Sequence, residues 1–294
     1  MIRRQFFISA LAAASLMVAG TGTPGWGQAP GAYPQAKQIV SIGGAITEII
    51  YALDEEHRLV GRDTTSNYPP EVFELPDIGY MRRLSAEGIL SINPDLIIAE
   101  EGSGPIDTIE LLAEAQIPFV TIPDEFNRHG IVAKITAIAR ALGTPDKGAV
   151  LAAKIDTDLK AAEKVANQVE NKKRVLFVLT LSNDRLLVSG TNTAADGIIR
   201  MAGGINVITE FEGYKPLTDE AISAAAPDII LLMNRTGQTQ ISDDDLAANP
   251  AISVTPAGKS RSFMRMDGMF MLGFGPRTAQ AILDLNKMFY PTEG

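Results

Sequence analysis

Leu217-Thr218-Asp219-Glu220-Ala221-Ile222, followed by Pro227-Asp228-Ile229-Ile230-Leu231, repeats an earlier passage at a constant offset of 133 positions. The earlier copy is Leu84-Ser85-Ala86-Glu87-Gly88-Ile89, followed by Pro94-Asp95-Leu96-Ile97-Ile98. A Gly-Tyr pair precedes each copy, Gly79-Tyr80 and Gly213-Tyr214, with one residue fewer in the second. In both copies a Ser/Thr-led start predicts a short helix, and the apolar run after Pro-Asp predicts a buried strand. A weaker pair, Glu48-Ile49-Ile50-Tyr51-Ala52 and Gly197-Ile198-Ile199-Arg200-Met201, falls in the same order. A repeated supersecondary unit of this kind implies a duplicated lobe.

Working outward from the first copy, short β-type runs alternate with helical ones. Strands are predicted over 38–42, 58–61, 95–99 and 119–122, and helices over 46–53, 85–92, 105–115 and 131–142. The stretch 63–70, polar and ending in Pro69-Pro70, is a loop. Such alternation predicts α/β architecture with a mainly parallel sheet covered on both faces. Thr144-Pro145 then opens a different segment. Thr144 suits a cap, Pro145 suits the first helical position, and Leu151, Ile155, Leu159, Ala162, Val165 and Val169 form one apolar stripe. No glycine or proline interrupts 149–170. A helix over 145–170 would be roughly 39 Å long, enough to join two lobes. Strand and helix alternation restarts at 174–179. The expected organisation is an N-terminal α/β lobe over 37–143, a linking helix within 144–172, and a C-terminal α/β lobe over 173–294. Ligands of open α/β sheets bind at the carboxyl ends of strands, which places a ligand cleft between the lobes, with Tyr80 and Tyr214 in equivalent loops facing it.

Bulk properties narrow the function. Residues 1–30 carry Arg3-Arg4, an apolar run over 6–19 and turn formers through Thr23-Pro24-Gly25, the layout of a cleaved export signal. Arg3-Arg4-Gln5-Phe6-Phe7 resembles a twin-arginine signal, and the run is shorter than the about 20 residues of a membrane span. Cleavage is expected between Gly20 and Ala32, giving a soluble protein in the periplasm. Net charge is −9, or −11 without residues 1–30 and their two arginines. With no basic run, a nucleic-acid partner is not expected. The absence of cysteine removes disulfides, zinc-thiolate sites, thiol catalysis and a lipidated cysteine. His57 and His129, read as solvated surface residues, are too few for a multi-histidine metal cage and poorly placed to serve a hydrolase nucleophile. No Gly-x-Ser-x-Gly elbow or Walker lysine loop appears, so the chain does not read as an enzyme. Gly43-Gly44 and Gly102-Ser103-Gly104 offer anion cradles at helix starts, although glycine turns after strands are commonplace.

The candidate site is Asp77-Ile78-Gly79-Tyr80-Met81-Arg82-Arg83-Leu84. It offers a phenol with a guanidinium two residues on. A cation beside a phenol favours the phenolate, a hard ligand for ferric iron, and tyrosine is a known axial ligand of haem. From the residues alone, a surface aromatic packed on its neighbours is the more ordinary reading, and the surrounding chain is what shifts it.

Three passages carry a family resemblance. They are Ile78-Gly79-Tyr80-Met81-Arg82 with the repeat that follows, Ser189-Gly190-Thr191-Asn192-Thr193-Ala194-Ala195-Asp196 with Arg200-Met201-Ala202-Gly203-Gly204, and Leu272-Gly273-Phe274-Gly275-Pro276-Arg277. The chain resembles the periplasmic haem-binding proteins of bacterial haem ABC importers over about 38–290. The two-lobe pattern alone marks the wider group that carries siderophores, cobalamin and haem, and Gly-Tyr-Met-Arg narrows it. The resemblance implies that Tyr80 ligates the haem iron and that Arg82 hydrogen-bonds the phenolate oxygen. It implies a monomeric carrier of ferric haem that delivers to an inner-membrane haem ABC permease, with Glu87 and Glu220 as docking groups. Those glutamates also suit helix starts beside Ser85 and Thr218, and the two roles are compatible. Some relatives resemble a double-haem carrier with a histidine after the long helix. Here 178–185 has none, so one haem is expected. Further pocket candidates are Tyr68 as an alternative ligand, Tyr214, Arg235 opposite a propionate, and Met269 and Phe270 against the porphyrin face, where ordinary core packing competes. A stiff linking helix leaves release to the permease. The alternatives are a ferric siderophore or cobalamin carrier of the same architecture and, more distantly, a secreted α/β hydrolase.

Overall fold

Isoleucine, valine and leucine runs that bury both of their faces set the architecture. The structure, a computed structural model, describes residues 31–182, 185–234 and 241–291. The export-signal stretch and Arg235 therefore lie outside the described residues. The first lobe contains strands β1 (Ile39–Ile42), β2 (Leu59–Arg62), β3 (Leu96–Glu100) and β4 (Phe119–Ile122) and helices α1 (Gly44–Ala52), α2 (Ala86–Leu90), α3 (Ile106–Glu114) and α4 (Arg128–Leu142). Its sheet has the order β2-β1-β3-β4 and is parallel throughout. On β3, Leu96 and Ile98 enter one core with α1 and α4, while Ile97 and Ala99 enter another with α2 and α3. Burial of alternate side chains on opposite faces is why these strands are continuously apolar.

Helix α5 (Pro145–Ala166) follows Gly143, whose φ of +75° ends α4 in the left-handed region. Its 22 residues span roughly 33 Å, less than the expected 145–170. The reason is tertiary. Gly203, with φ of +86°, crosses the end of α5 so closely that a Cβ there would lie 2.7 Å from the Ala166 carbonyl oxygen.

The second lobe contains β5 (Arg174–Ser182), β6 (Arg185–Ser189), α6 (Ala194–Met201), β7 (Ile205–Asn206), β8 (Tyr214–Pro216), α7 (Asp219–Ala225), β9 (Ile229–Asn234), α8 (Asp243–Ala248), α9 (Pro250–Ser253), α10 (Pro256–Ser260), β10 (Phe263–Asp267), α11 (Gly268–Leu272) and α12 (Thr278–Phe289). Its sheet runs β10-β9-β5-β6-β8, with β7 beside β5. Strands β10, β9, β5 and β7 are parallel, whereas β6 is antiparallel to both β5 and β8. The expected parallel character thus holds for one half of this sheet. Between Ser182 and Arg185 there is no room for the crossover a parallel pair needs, so β6 returns beside β5.

The duplicated passages occupy equivalent places for a physical reason. Ser85 caps α2 by accepting from the Gly88 amide, and Thr218 caps α7 by accepting from the Ala221 amide. Asp95 accepts from the amides of Lys37 and Gln38 ahead of β1, and Asp228 accepts from the amide of Arg174 at the start of β5. Each Pro-Asp therefore ties its own strand to the neighbour at its amino end. Val175, Phe177, Ile229 and Leu231 from the second sheet share one apolar core with α5, α12, α1, α4, Leu96 and Ile98, so a single interior runs through both lobes. The outer faces have separate cores.

Candidate functional site

The carboxyl ends of both sheets supply the loops that meet between the lobes. After β2, Asp63 is fully buried and accepts from the Gly43 amide, the Thr65 amide and hydroxyl, and the Ser66 hydroxyl. The Gly44 amide donates to the Thr65 hydroxyl oxygen at 3.0 Å. These bonds fix the loop that carries Tyr68. They also use the amides of Gly43 and Gly44, so that possible cradle is filled by the protein's own side chains. In the other glycine turn, the Ser103 amide donates to Glu100 O and the Gly104 amide to Met81 O.

Tyr80 lies on the neighbouring loop. Residues 77–79 run beside the end of β2, with the Ile78 amide donating to Arg62 O and the Thr64 amide to Gly79 O. Gly79 has φ of +95°, a left-handed conformation that favours glycine before the tyrosine. Leu84 N and Met81 O bond Gly104, which straps the far end of the loop to the turn after β3. Tyr80 is 40% exposed, and its phenol makes no hydrogen bond among the described residues. Arg82 and Arg83 are exposed and likewise without an ion pair there. The Arg82–Tyr80 hydrogen bond implied by the resemblance is not made in this structure.

Across the seam, Met269 and Phe270 follow β10. Met269 packs on Gly44 so closely that a Cβ at Gly44 would collide with the methionine methyl. Phe270 is placed by its amide bond to Asp267. Between Phe270 and Tyr68 stands Arg277, with its guanidinium carbon 3.7 Å from the Tyr68 ring centroid and 5.2 Å from that of Phe270. Arg277 pairs with Glu48 of α1, Nε to Oε2 at 3.0 Å and Nη2 to Oε1. Burial pushes the Glu48 carboxyl up, Arg277 pulls it down, and Asp267 adds to the rise. The structure therefore gathers Tyr68 and Phe270 around a pair that spacing could not reveal, since its members are 229 positions apart, with Met269 packed nearby on the first turn of α1. The available signal was Glu48 itself, a lone charge on the apolar face of a helix, which needs a partner.

Tyr214 differs from expectation. It opens β8 rather than lying in a loop, because the Gly190 amide donates to Gly213 O and draws this segment onto the sheet. Its ring meets Phe177 edge-on at 6.4 Å, on the shared core. His57 and His129 are both exposed, as read. Glu87 and Glu220 are exposed in the first turns of α2 and α7 and make no ion pair among the described residues.

A second, partly buried cluster lies behind Gly43. Glu100 abuts Gly43, and Lys134, fully buried on α4, bonds Asp124 at 2.6 Å. Burial pushes the Glu100 carboxyl up to about 8; Lys134 opposes this, while Asp124 and Asp63 add to it.

A family model described as "periplasmic binding protein" matches residues 39–268. The chain belongs to the periplasmic binding protein family. This binding protein is of the substrate-binding ABC-importer type, works with an inner-membrane permease and is not an enzyme. It is 41% identical to the periplasmic haem-binding protein RhuT from Roseiflexus sp. RS-1, with a TM-score of 0.82 over 87% of this chain and 98% of that one. It is 39% identical to the periplasmic haem-binding protein BhuT, solved in complex with two haems, with a TM-score of 0.80 over 86% and 97%. It is also 24% identical to the vitamin B12-binding protein of Vibrio parahaemolyticus, over 86% of this chain and 89% of that one.

Proposed function

We propose that this binding protein carries one ferric haem to an inner-membrane haem permease, with the Tyr80 phenolate as iron ligand. What supports this most is the state of the Tyr80 loop. A half-exposed phenol with no hydrogen bond among the described residues sits at the carboxyl edge of the parallel sheet, and the exposed guanidinium of Arg82, without an ion pair among those residues, lies two positions on. Unengaged polar groups of this kind are suited to a partner that arrives from outside. The chain is overall acidic, so local cations are needed to hold an anionic porphyrin. In the bound state Arg82 donates to the phenolate oxygen and offsets its charge. Tyr68, Met269 and Phe270 line the approach between the lobes. Tyr214 and Arg235 complete the set of pocket candidates. Glu87 and Glu220, one per lobe, present carboxylates to basic groups of the permease. Residues 1–30 direct export to the periplasm and are removed.

The likeness to RhuT and BhuT favours haem over other cargo of this family. The absence of histidine from 178–185 favours a single haem, unlike the two in the BhuT complex. The vitamin B12-binding relatives support cobalamin as the second reading. Titration of the purified protein with haemin and, separately, with cyanocobalamin tests both. The expected outcome is a Soret shift with a high-spin phenolate charge-transfer band, saturating at one equivalent. Tyr80→Ala should lose the charge-transfer band and weaken binding by about a hundredfold, the scale of one strong ligand interaction. Unchanged haem spectra in Tyr80→Ala, or saturation by cobalamin alone, would overturn the reading.

A further inference from the structure

Arg277 is held on three sides where the lobes meet. Its fork pairs with both carboxylate oxygens of Glu48, and its guanidinium carbon lies over the Tyr68 ring, 3.7 Å from the centroid, and over the Phe270 ring at 5.2 Å. Glu48 and Tyr68 belong to the first lobe, on α1 and on the loop after β2, while Phe270 and Arg277 belong to the second. Tyr68 is nevertheless 42% exposed, so part of its ring remains open to a ligand. A side chain this exposed, on a loop, needs something to fix its orientation. The loop's own bonds through Asp63 end at Ser66, two residues short of it. The contact that reaches the ring is the guanidinium from the opposite lobe.

We propose that Arg277 is a positioning residue: tied to Glu48 across the seam, it orients the Tyr68 ring and thereby sets how long a flat ligand stays between the lobes. The retention half of this inference rests on the haem-carrier reading, and the orienting half does not. Lysine at 277 keeps the charge but has neither the fork that matches a carboxylate nor the planar face that stacks on a ring. Glutamine at 48 keeps the shape but loses the ion pair.

The test uses the whole exported protein and two readouts. In the first, haem release is timed by transfer to an excess of apomyoglobin for wild type, Arg277→Lys, Tyr68→Ala and the double variant. Each single change should speed release by at least about tenfold while the Tyr80 charge-transfer band is kept, and the double variant should release no faster than the singles. Multiplying rates in the double variant, or wild-type release from Arg277→Lys, would overturn the proposal. In the second readout, amide exchange of the ligand-free protein should rise over 63–68 in both Arg277→Lys and Glu48→Gln, with α2 and α3 unchanged. No local rise in either variant would also overturn it. If haem does not bind the wild type, the carrier reading fails and the exchange experiment still decides the role of Arg277. Should Arg277→Lys not fold, Glu48→Gln supplies both readouts.

Discussion

Glu100 shows how one carboxyl at the end of β3 links the candidate site to pH. In the folded protein it keeps its proton up to about 8, because burial penalises the charge and Asp124 and Asp63 add to that penalty, while Lys134 only partly opposes it. In the unfolded chain it ionises near its ordinary value of 4.5. The folded state therefore binds the proton more tightly, so this group's contribution to stability falls as pH rises between those two values. Thermal melts of wild type should decline over that window, and Glu100→Gln should flatten the decline from about pH 6 to about pH 8. An unaltered slope in the variant would rule the assignment out. The cluster was not legible in the sequence, because its members come from β3, α4 and the loops after β2 and β4, and none carries a motif. The Tyr80 loop differs in that its signal is local, a glycine, a phenol and an arginine within four consecutive positions, and its role as iron ligand is the proposal made above.

Elements were read more surely than their ends. Capping residues and Pro-Asp pairs fixed the starts of α2, α7, β3 and β9, because each makes a short-range bond that depends on one residue type. The end of α5 was misplaced by four residues, since no glycine or proline follows to mark it and the close crossing of Gly203 at Ala166 is invisible in the sequence. The return of β6 beside β5 was likewise missed, because a hairpin and a crossover share the same apolar run and differ only in connection length. Where two elements approach closely, one side chain decides the packing. At Gly148 of α5 a Cβ would collide with the Cβ of Ala139 on α4. Alanine gains about 1 kcal/mol over glycine inside a helix, while overpacking costs about 1–3 kcal/mol. Gly148→Ala is therefore expected to lower the denaturation midpoint; a rise would mean the helices separate without penalty.

At the scale of the whole molecule, the proposed docking role predicts that the permease recognises both lobes together. Glu87 and Glu220 occupy matching first-turn positions 133 residues apart, and each is exposed. Reversing either charge should leave the haem titration as it was and weaken association with the permease by about tenfold, a loss typical of one interfacial ion pair. Uptake assays with Glu87→Lys, Glu220→Lys and the double variant check this, and equal uptake by the double variant would remove the docking role. The interior common to both sheets has a further consequence. Neither half owns a complete oily centre, so a gene cut at α5 would yield two polypeptides with matching bare sides. Such pieces are complements rather than independent proteins, and each would be recovered folded only in the company of the other.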